Sequence, residues 1–283
     1  MNELAKRVAV SIVLAAIVIA VIWIGGATFV TLLAVASGLA AWEFYRIAQG
    51  AGARPFVEFG VTLSALVPLL VHARFLGFWV PPVSVVALLV PLLLALALFR
   101  RGTSGSMGAV GATLVGVLYT GGLISFAYGL RYHEFVIDAK GGTAMVLLPL
   151  LVTWCNDTGA YFAGRAFGRA KLMPSVSPGK TWAGAYGGAA AGLLATWLLA
   201  AFVLPPLAHV SLRPLAIVII GIALSVVSQV GDLVESMLKR EGGVKDSSHL
   251  IPGHGGVLDR IDALIFVLPT AYVLLSVFLT YRP

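Results

Sequence analysis

The chain has 283 residues; 59% of them are apolar and only 11% carry a charge, against about 25% charged residues in an average globular protein. So few polar side chains cannot cover a water-facing surface, which indicates a protein that lies in lipid. A single Cys and the lack of any low-complexity tract exclude a disulfide scaffold, collagen and a disordered chain. The net charge of +7 suits anionic lipids or substrates, but no segment offers the continuous basic face that nucleic acid requires.

Nine stretches of the chain have the length, about 20 apolar residues, that a helix needs to cross a bilayer. They lie at residues 8–24, 27–48, 57–73, 82–99, 108–130, 143–165, 181–204, 213–237 and 260–280. The sequence therefore predicts an all-α, polytopic integral membrane protein with about nine transmembrane helices. The first stretch resembles a secretory signal, but no clear small-residue cleavage site follows it, so we expect a retained helix.

An odd number of spans places the two chain ends on opposite sides of the membrane. Most of the 19 Lys and Arg residues fall on the side of the N-terminus and of the loops after the second, fourth, sixth and eighth spans. The positive-inside rule then predicts a cytoplasmic N-terminus and an outside C-terminus. We expect a multi-pass protein of the cell inner (plasma) membrane.

Ionisable side chains inside the spans are unevenly distributed. Each costs at least about 2.5 kcal/mol to insert, so it suggests a functional site. In the first 150 residues only Glu43 lies in the body of a span, whereas the remainder contains Asp157, Asp232, Glu235, Asp259 and Asp262. We expect one membrane-embedded unit in which residues 1–140 form scaffold helices and residues 141–283 carry a cytoplasm-facing site.

The eighth span carries a polar stripe, since residues three or four apart share a helical face. Its members are Ser228, Asp232, Glu235, Ser236 and Lys239. Such a stripe cannot face lipid, so it predicts a cavity enclosed by protein. The alternative is a set of ion pairs from Asp232 and Glu235 to Lys239 and Arg240 that holds helices together.

The loop after this span is rich in glycine, and its backbone can approach an anion closely. Asp259 and Asp262 follow at i and i+3, where two carboxylates on one face would repel each other unless a cation lay between them. The alternative is that Asp259 caps the ninth helix and Asp262 pairs with Arg260.

A second polar patch precedes and opens the seventh span. Asp157, Tyr161 and Arg165 lie at four-residue steps, and Ser177, Lys180 and Thr181 stand at a helix N-terminus, which is a suitable anion seat. The alternatives are that Asp157 is a buried bridge between helices and that the Lys180 side chain only reaches toward the membrane interface.

These spacings are similar to a known family signature. Ser236-x-x-Lys239-Arg240, then Lys245-Asp246, then Pro252-x-His254-Gly255-Gly256-x-x-Asp259-Arg260-x-Asp262 resembles that of the phosphatidate cytidylyltransferases, or CDP-diacylglycerol synthases. Asn156 to Tyr161 and Ser177 to Trp182 resemble the same family. The resemblance covers residues 150–265, whereas the first 140 agree only in being hydrophobic helices. Ala183 departs from the Glu expected in many members, which affects one loop contact.

The resemblance implies that CTP and phosphatidic acid become CDP-diacylglycerol and pyrophosphate, with Mg²⁺ required and the number of cations left open, in an enzyme that forms a homodimer. It implies that Asp232, Asp259 and Asp262 bind the metal. The expected catalytic residues are Asp232, Lys239, Arg240, Asp259 and Asp262. The expected substrate-binding residues are Asn156, Asp157, Tyr161, Ser177, Lys180, Thr181, Ser236, Lys245, Asp246, His254, Gly255, Gly256 and Arg260.

The chemistry of this reaction agrees with the residue types. The attacking phosphate is largely ionised near pH 7, so no general base is needed and the carboxylates suit metal binding. Catalysis then consists of positioning and charge neutralisation, with Lys239, Arg240, Lys245 and Arg260 as the cations. His254 either donates to a phosphate oxygen or packs the loop.

Other functions explain part of the pattern. A polyprenol kinase or a CDP-archaeol synthase would share the lipid, the nucleotide and the metal. An ion-coupled transporter would have polar groups through both leaflets, whereas here they crowd one end. A catalytically silent scaffold would have no reason to keep so many charges at one membrane face.

Overall fold

The computed structural model describes residues 3–82, 86–99, 105–251, 253 and 255–281. The helices are α1 (Glu3–Ile24), α2 (Gly26–Gly50), α3 (Val57–Phe75), α4 (Leu89–Leu98), α5 (Ser106–Gly116), α6 (Phe126–Arg131), α7 (Ala139–Phe167), α8 (Trp182–Phe202), α9 (Leu204–Ala208), α10 (Pro214–Glu241) and α11 (Leu258–Phe278), with a π-helical segment at Val117–Gly122. Strand β1 (Lys171–Met173) pairs antiparallel with β2 (Ser177–Thr181), and β3 (Val210–Ser211) pairs antiparallel with β4 (Thr280–Tyr281).

Within the described residues, six helical segments are long and apolar enough to cross a membrane. They are α2, α3, the run Ser106–Arg131, α8, α10 and α11. The predicted class, an all-α integral membrane protein, is confirmed. The other predicted stretches, 8–24, 82–99 and 143–165, also contain helix, but α4 has only 10 residues and residues 83–85 lie outside the described part. The count of nine spans and the orientation stay predictions.

The chain divides into two compact units. The first contains residues 1–25, 126–237 and 261–283, and the second contains residues 26–125 and 238–260. Both units therefore combine segments that are far apart in the sequence.

In the first unit, α7 and α8 pack closely because glycine leaves room between them. A Cβ atom on Gly188 would lie 2.8 Å from Asn156 Oδ1 and 2.9 Å from the Asn156 carbonyl oxygen. A Cβ atom on Gly159 would lie 2.7 Å from the carbonyl oxygen of Gly187. Small residues at these positions thus bring the polar face of α7 against α8.

Capping residues fix where these two helices begin. The Asp138 carboxylate accepts a 2.7 Å hydrogen bond from the Gly141 N–H at the start of α7. Thr181 Oγ1 accepts a 3.1 Å bond from the Gly184 N–H at the start of α8. The β1–β2 hairpin ends at Thr181 and so places Lys180 directly before the capping residue of α8.

In the second unit, α2 is the central support. The buried Tyr45 side chain donates from Oη to the Thr113 carbonyl oxygen at 2.8 Å, and its ring fills the space that a Cβ on Gly60 or Gly116 would need. At the end of α2, a Cβ on Gly242 would lie 2.7 Å from the Ile47 carbonyl oxygen. The loop after α10 therefore packs directly on the last turns of α2.

Candidate active site

A cavity of about 560 Å³ that contains charged and polar side chains lies in the first unit, lined by α7, the β1–β2 hairpin, the start of α8 and α10. Of the predicted site residues, it brings together Asn156, Asp157, Tyr161, Lys180, Thr181 and Asp232. Two segments that the sequence marked separately, the patch at 154–182 and the stripe on the eighth span, thus share one pocket.

An ion pair joins two walls of this cavity. Lys180 Nζ lies 2.7 Å from Asp232 Oδ2, and the two side chains are 24% and 41% exposed. Ser236 Oγ also donates to Asp232 Oδ1 at 3.3 Å. Lys180 Nζ is itself buried, whereas the Asp232 side chain is 41% exposed, so the pair meets solvent at its carboxylate.

Asn156 connects the helices behind the pair. It is fully buried; its Nδ2 donates to Ser228 Oγ at 3.4 Å, and its Oδ1 accepts from Gln229 Nε2 at 3.0 Å. Gln229 Nε2 also donates to the Ala185 carbonyl oxygen at 3.1 Å. Asn156, rather than Asp157, is therefore the bridge between helices, and the Asp157 carboxylate lines the cavity.

An aromatic ring and a cation lie one turn further along α7. Tyr161 is exposed, and its Oη accepts a 3.1 Å hydrogen bond from Arg165 Nη1. Both side chains line the cavity. They add a flat apolar surface and a second positive charge to a pocket that already contains Lys180.

The second unit contains a separate polar cluster around Asp259. Lys239 Nζ lies 2.7 Å from Asp259 Oδ1, and the two side chains are only 12% and 5% exposed. Asp259 Oδ2 accepts from the Ser247 N–H at 2.9 Å, the Ser247 hydroxyl at 2.8 Å and the Gly256 N–H at 2.8 Å. Asp259 therefore holds the glycine-rich loop onto the start of α11, and the partner of Lys239 is this carboxylate.

The remaining predicted residues lie at varied places. Arg240 Nη1 donates to the Val244 carbonyl oxygen at 3.2 Å, and Asp262 Oδ1 accepts from the Ala263 N–H at 2.7 Å. Ser177 begins β2, and Gly255, with φ +80°, accepts from the Ile251 N–H at 2.9 Å. Lys245, Asp246 and Arg260 are exposed. His254 lies outside the described residues.

Two residues in these clusters were not assigned a role from the sequence. Gln229 lies three positions before Asp232 on a hydrophobic helix. This spacing places the two residues on the same face of the helix. Glu43 is buried against the loop between α10 and α11, residues 242–257, which is named the signature loop. It accepts hydrogen bonds from Ser247 and Ser248 of this loop. The sequence feature that indicated Glu43 is that it stands alone as an ionisable group in the body of an N-terminal span.

The cavity offers two carboxylates to a divalent cation. Across the described ranges, no group of three or more His, Cys, Asp or Glu side chains could hold a metal ion. Asp157 and Asp232 do line one cavity, and Mg²⁺ in nucleotide sites commonly uses one or two carboxylates, with water and phosphate oxygens as its other ligands. These two carboxylates fit a Mg²⁺ that arrives with a nucleotide, while the set of Asp232, Asp259 and Asp262 stays a prediction.

The helices and the cavity define a multi-pass membrane protein with a polar pocket suited to an anionic ligand. A model of the cytidylyltransferase family matches residues 5–278. Phosphatidate cytidylyltransferases of Brucella suis and Brucella melitensis are each 35% identical over 284 residues, which cover 98% of this chain and 95% of theirs. The phosphatidate cytidylyltransferase of Haemophilus influenzae is 46% identical over 154 residues, or 52% of each chain. The chain belongs to the cytidylyltransferase family.

Proposed function

We propose that the protein transfers the cytidylyl group of CTP to phosphatidic acid, which yields CDP-diacylglycerol and pyrophosphate. The observation that carries this proposal is the 35% identity to phosphatidate cytidylyltransferases over 98% of the chain. The cavity supports it independently, because it combines Lys180 and Arg165 with two carboxylates in a volume of about 560 Å³.

In this reaction an oxygen of the phosphatidate phosphate forms a bond to the α-phosphorus of CTP, and the bond from that phosphorus to the β-phosphate bridging oxygen breaks. Lys180 exchanges its contact with Asp232 for a phosphate oxygen, and Arg165 neutralises further charge at the rim. Asn156 and Gln229 keep α7, α8 and α10 in register behind the reacting groups. The nucleophile is already ionised, so none of these residues has to remove a proton.

Asp157 and Asp232 would hold the cation. Bound Mg²⁺ supplies charge neutralisation that lets two polyanions approach each other. The family resemblance assigns Asp259 and Asp262 to the metal site as well, and it assigns them with Lys239, Arg240 and the other signature residues to catalysis and substrate binding.

We also propose nine spans, a cytoplasmic N-terminus and an outside C-terminus in the cell inner (plasma) membrane, with the cavity open to the cytoplasm. The 29-residue α7 is about 43 Å long at 1.5 Å per residue, which is sufficient to cross. The basic residues near the cavity, Arg165, Arg169, Lys171 and Lys180, support a cytoplasmic position. The homodimer rests on the resemblance alone.

Two radioactive labels test the proposed reaction. Purified protein in detergent receives Mg²⁺ and phosphatidate with either [α-³²P]CTP or [γ-³²P]CTP, and the lipid products are separated by thin-layer chromatography. We expect lipid label from the α-phosphate only, together with released pyrophosphate. Label from the γ-phosphate, or label only when a polyprenol replaces phosphatidate, would instead establish a lipid kinase.

A further inference from the structure

Within the part of the chain that the structure describes, the buried Glu43 carboxylate has four hydrogen-bond contacts, which come from the signature loop and the start of α11. It lies in α2 and is fully buried. Its Oε1 accepts from Ser248 Oγ at 2.6 Å and the Val257 N–H at 3.0 Å. Its Oε2 accepts from Ser247 Oγ at 3.0 Å and the Leu258 N–H at 2.6 Å.

Three of these contacts suit an ionised carboxylate, because the Ser248 hydroxyl and the Val257 and Leu258 N–H groups donate to a group that only accepts. The single proton of the Ser247 hydroxyl is divided between Glu43 and Asp259. Leu258 presents the first N–H group of α11, which has no partner within the helix, and Val257 lies directly before it. The helix dipole further stabilises a negative charge at this end. Glu43 thus caps α11 from another helix.

The same contacts connect Glu43 to the Asp259 cluster. Ser247 Oγ lies 3.0 Å from Glu43 Oε2 and 2.8 Å from Asp259 Oδ2, so its hydroxyl stands between the two carboxylates. Asp259 in turn pairs with Lys239. A Cβ on Gly256 would overlap both Glu43 Oε1 and Ser247 Oγ, so this packing requires glycine there.

We infer that Glu43 is a positioning residue for the cytidylyl transfer. It fixes the loop from Ser247 to Leu258. Through Ser247 it also fixes the positions of the Asp259 carboxylate and Lys239, which the family resemblance assigns to the reaction with CTP. This inference rests on the proposed function, and it assigns a role in the reaction to a helix that the sequence marked only as scaffold.

Glu43→Gln tests the inference, since it keeps the size of the side chain but places an amide NH₂ against groups that donate. We expect kcat/KM for CTP to fall at least tenfold, with KM for phosphatidate within twofold of wild type. Hydrogen exchange of the Ser247, Val257 and Leu258 amides should accelerate. Glu58→Gln, at an exposed position of α3 in the same unit, is the matched control and should leave all of these unchanged.

Ser248→Ala provides a milder second variant that removes one donor and should lower kcat/KM for CTP two- to fivefold. Combined with Glu43→Gln, it should cause no further loss. An unchanged Ser248→Ala enzyme, a Glu43→Gln enzyme within twofold of wild type, or equal losses for CTP and phosphatidate without faster exchange would overturn the inference.

The exchange measurement separates this inference from the proposed function. A wild-type protein that makes no CDP-lipid would remove the reaction and, with it, the role of Glu43 in catalysis. Faster exchange in Glu43→Gln would in that case still establish that the carboxylate fixes the loop.

Discussion

Lys180 and Asp232 form a pair that is strong enough to orient two side chains and weak enough to open. In their 2.7 Å contact the Lys180 Nζ atom is buried and the Asp232 side chain is partly exposed. A triphosphate carries several charges and offers Lys180 a better partner. We therefore propose that the pair is the resting state of an anion site.

Lys180→Gln should raise KM for CTP at least tenfold, because it removes the positive charge that pairs with a phosphate. A tenfold change corresponds to about 1.4 kcal/mol of binding free energy. KM for phosphatidate should change less than threefold. Lys171→Gln, on the exposed first strand of the same hairpin, is the control for net charge. Steady-state kinetics with each substrate varied in turn measure both KM values. A larger increase in KM for phosphatidate than for CTP would show that Lys180 binds the lipid substrate.

His133 makes the stability of the protein depend on pH. Burial lowers the pKa of its imidazole below 6.5, and Glu134 partly opposes this shift. The ring nitrogen Nε2 lies 2.7 Å from Ser276 Oγ, whose proton is donated to the Tyr272 carbonyl oxygen. Nε2 therefore carries the proton and donates, while Nδ1 accepts from the Phe135 N–H.

Below about pH 6.5 the unfolded chain binds a proton at this position more readily than the folded protein does, so stability is lost as the pH falls. We expect the thermal midpoint in detergent to decrease between pH 7 and pH 5. His133→Phe should have a smaller decrease over the same range. An identical pH dependence in the variant would show that other groups are responsible.

The sequence predicted residue types better than partners. The spacing from Ser236 to Asp262 predicts which side chains take part in the reaction, because a motif is local. The contact between Glu43 and Ser247 joins residues 204 positions apart, and no periodicity contains that information. Lys180 and Asp232 were each predicted to be in the site, but their pairing depends on how α8 and α10 pack.

The contact between α7 and α8 depends on glycine more than on any large side chain. Gly188→Ala should destabilise the protein by about 1–3 kcal/mol, because the new methyl group would overlap both oxygens of Asn156. It should also lower turnover, since Asn156 supports the cavity wall.

Gly111→Ala is the matched control, in which a helical glycine has nothing within 4 Å of the added Cβ atom. It should be neutral or stabilise by about 0.5–1 kcal/mol. Thermal unfolding in detergent measures both variants. A Gly188→Ala protein as stable as Gly111→Ala would show that the two helices can separate without cost.

Apolar runs predicted the helices well, since a span needs about 20 such residues whatever its neighbours are. They did not predict the β1–β2 hairpin, because strands of three and five residues are too short for a periodic signal. The predicted span at 108–130 is interrupted by the π-helical segment Val117–Gly122. There a Cβ on Gly121 would lie 2.6 Å from the Ser64 carbonyl oxygen, a contact that depends on tertiary packing.

The number of spans depends in part on whether α7 crosses the membrane. In a chain with Cys155→Ala, single cysteines at the exposed positions 137 and 179 should react with an impermeant reagent from opposite sides of sealed vesicles. Position 179 should react from the cytoplasmic side. Labelling of both positions from one side would contradict the nine-span topology.

The proposed requirement for a divalent cation connects the cavity, its carboxylates and the proposed reaction. The decisive measurement is the rate of CDP-lipid formation as a function of Mg²⁺ for wild type and Asp232→Asn, starting from protein treated with EDTA. We predict no turnover without Mg²⁺, recovery on its addition, and at least a hundredfold lower rate for Asp232→Asn, or about 2.7 kcal/mol. Undiminished turnover in EDTA, or an Asp232→Asn enzyme as fast as wild type, would contradict the account.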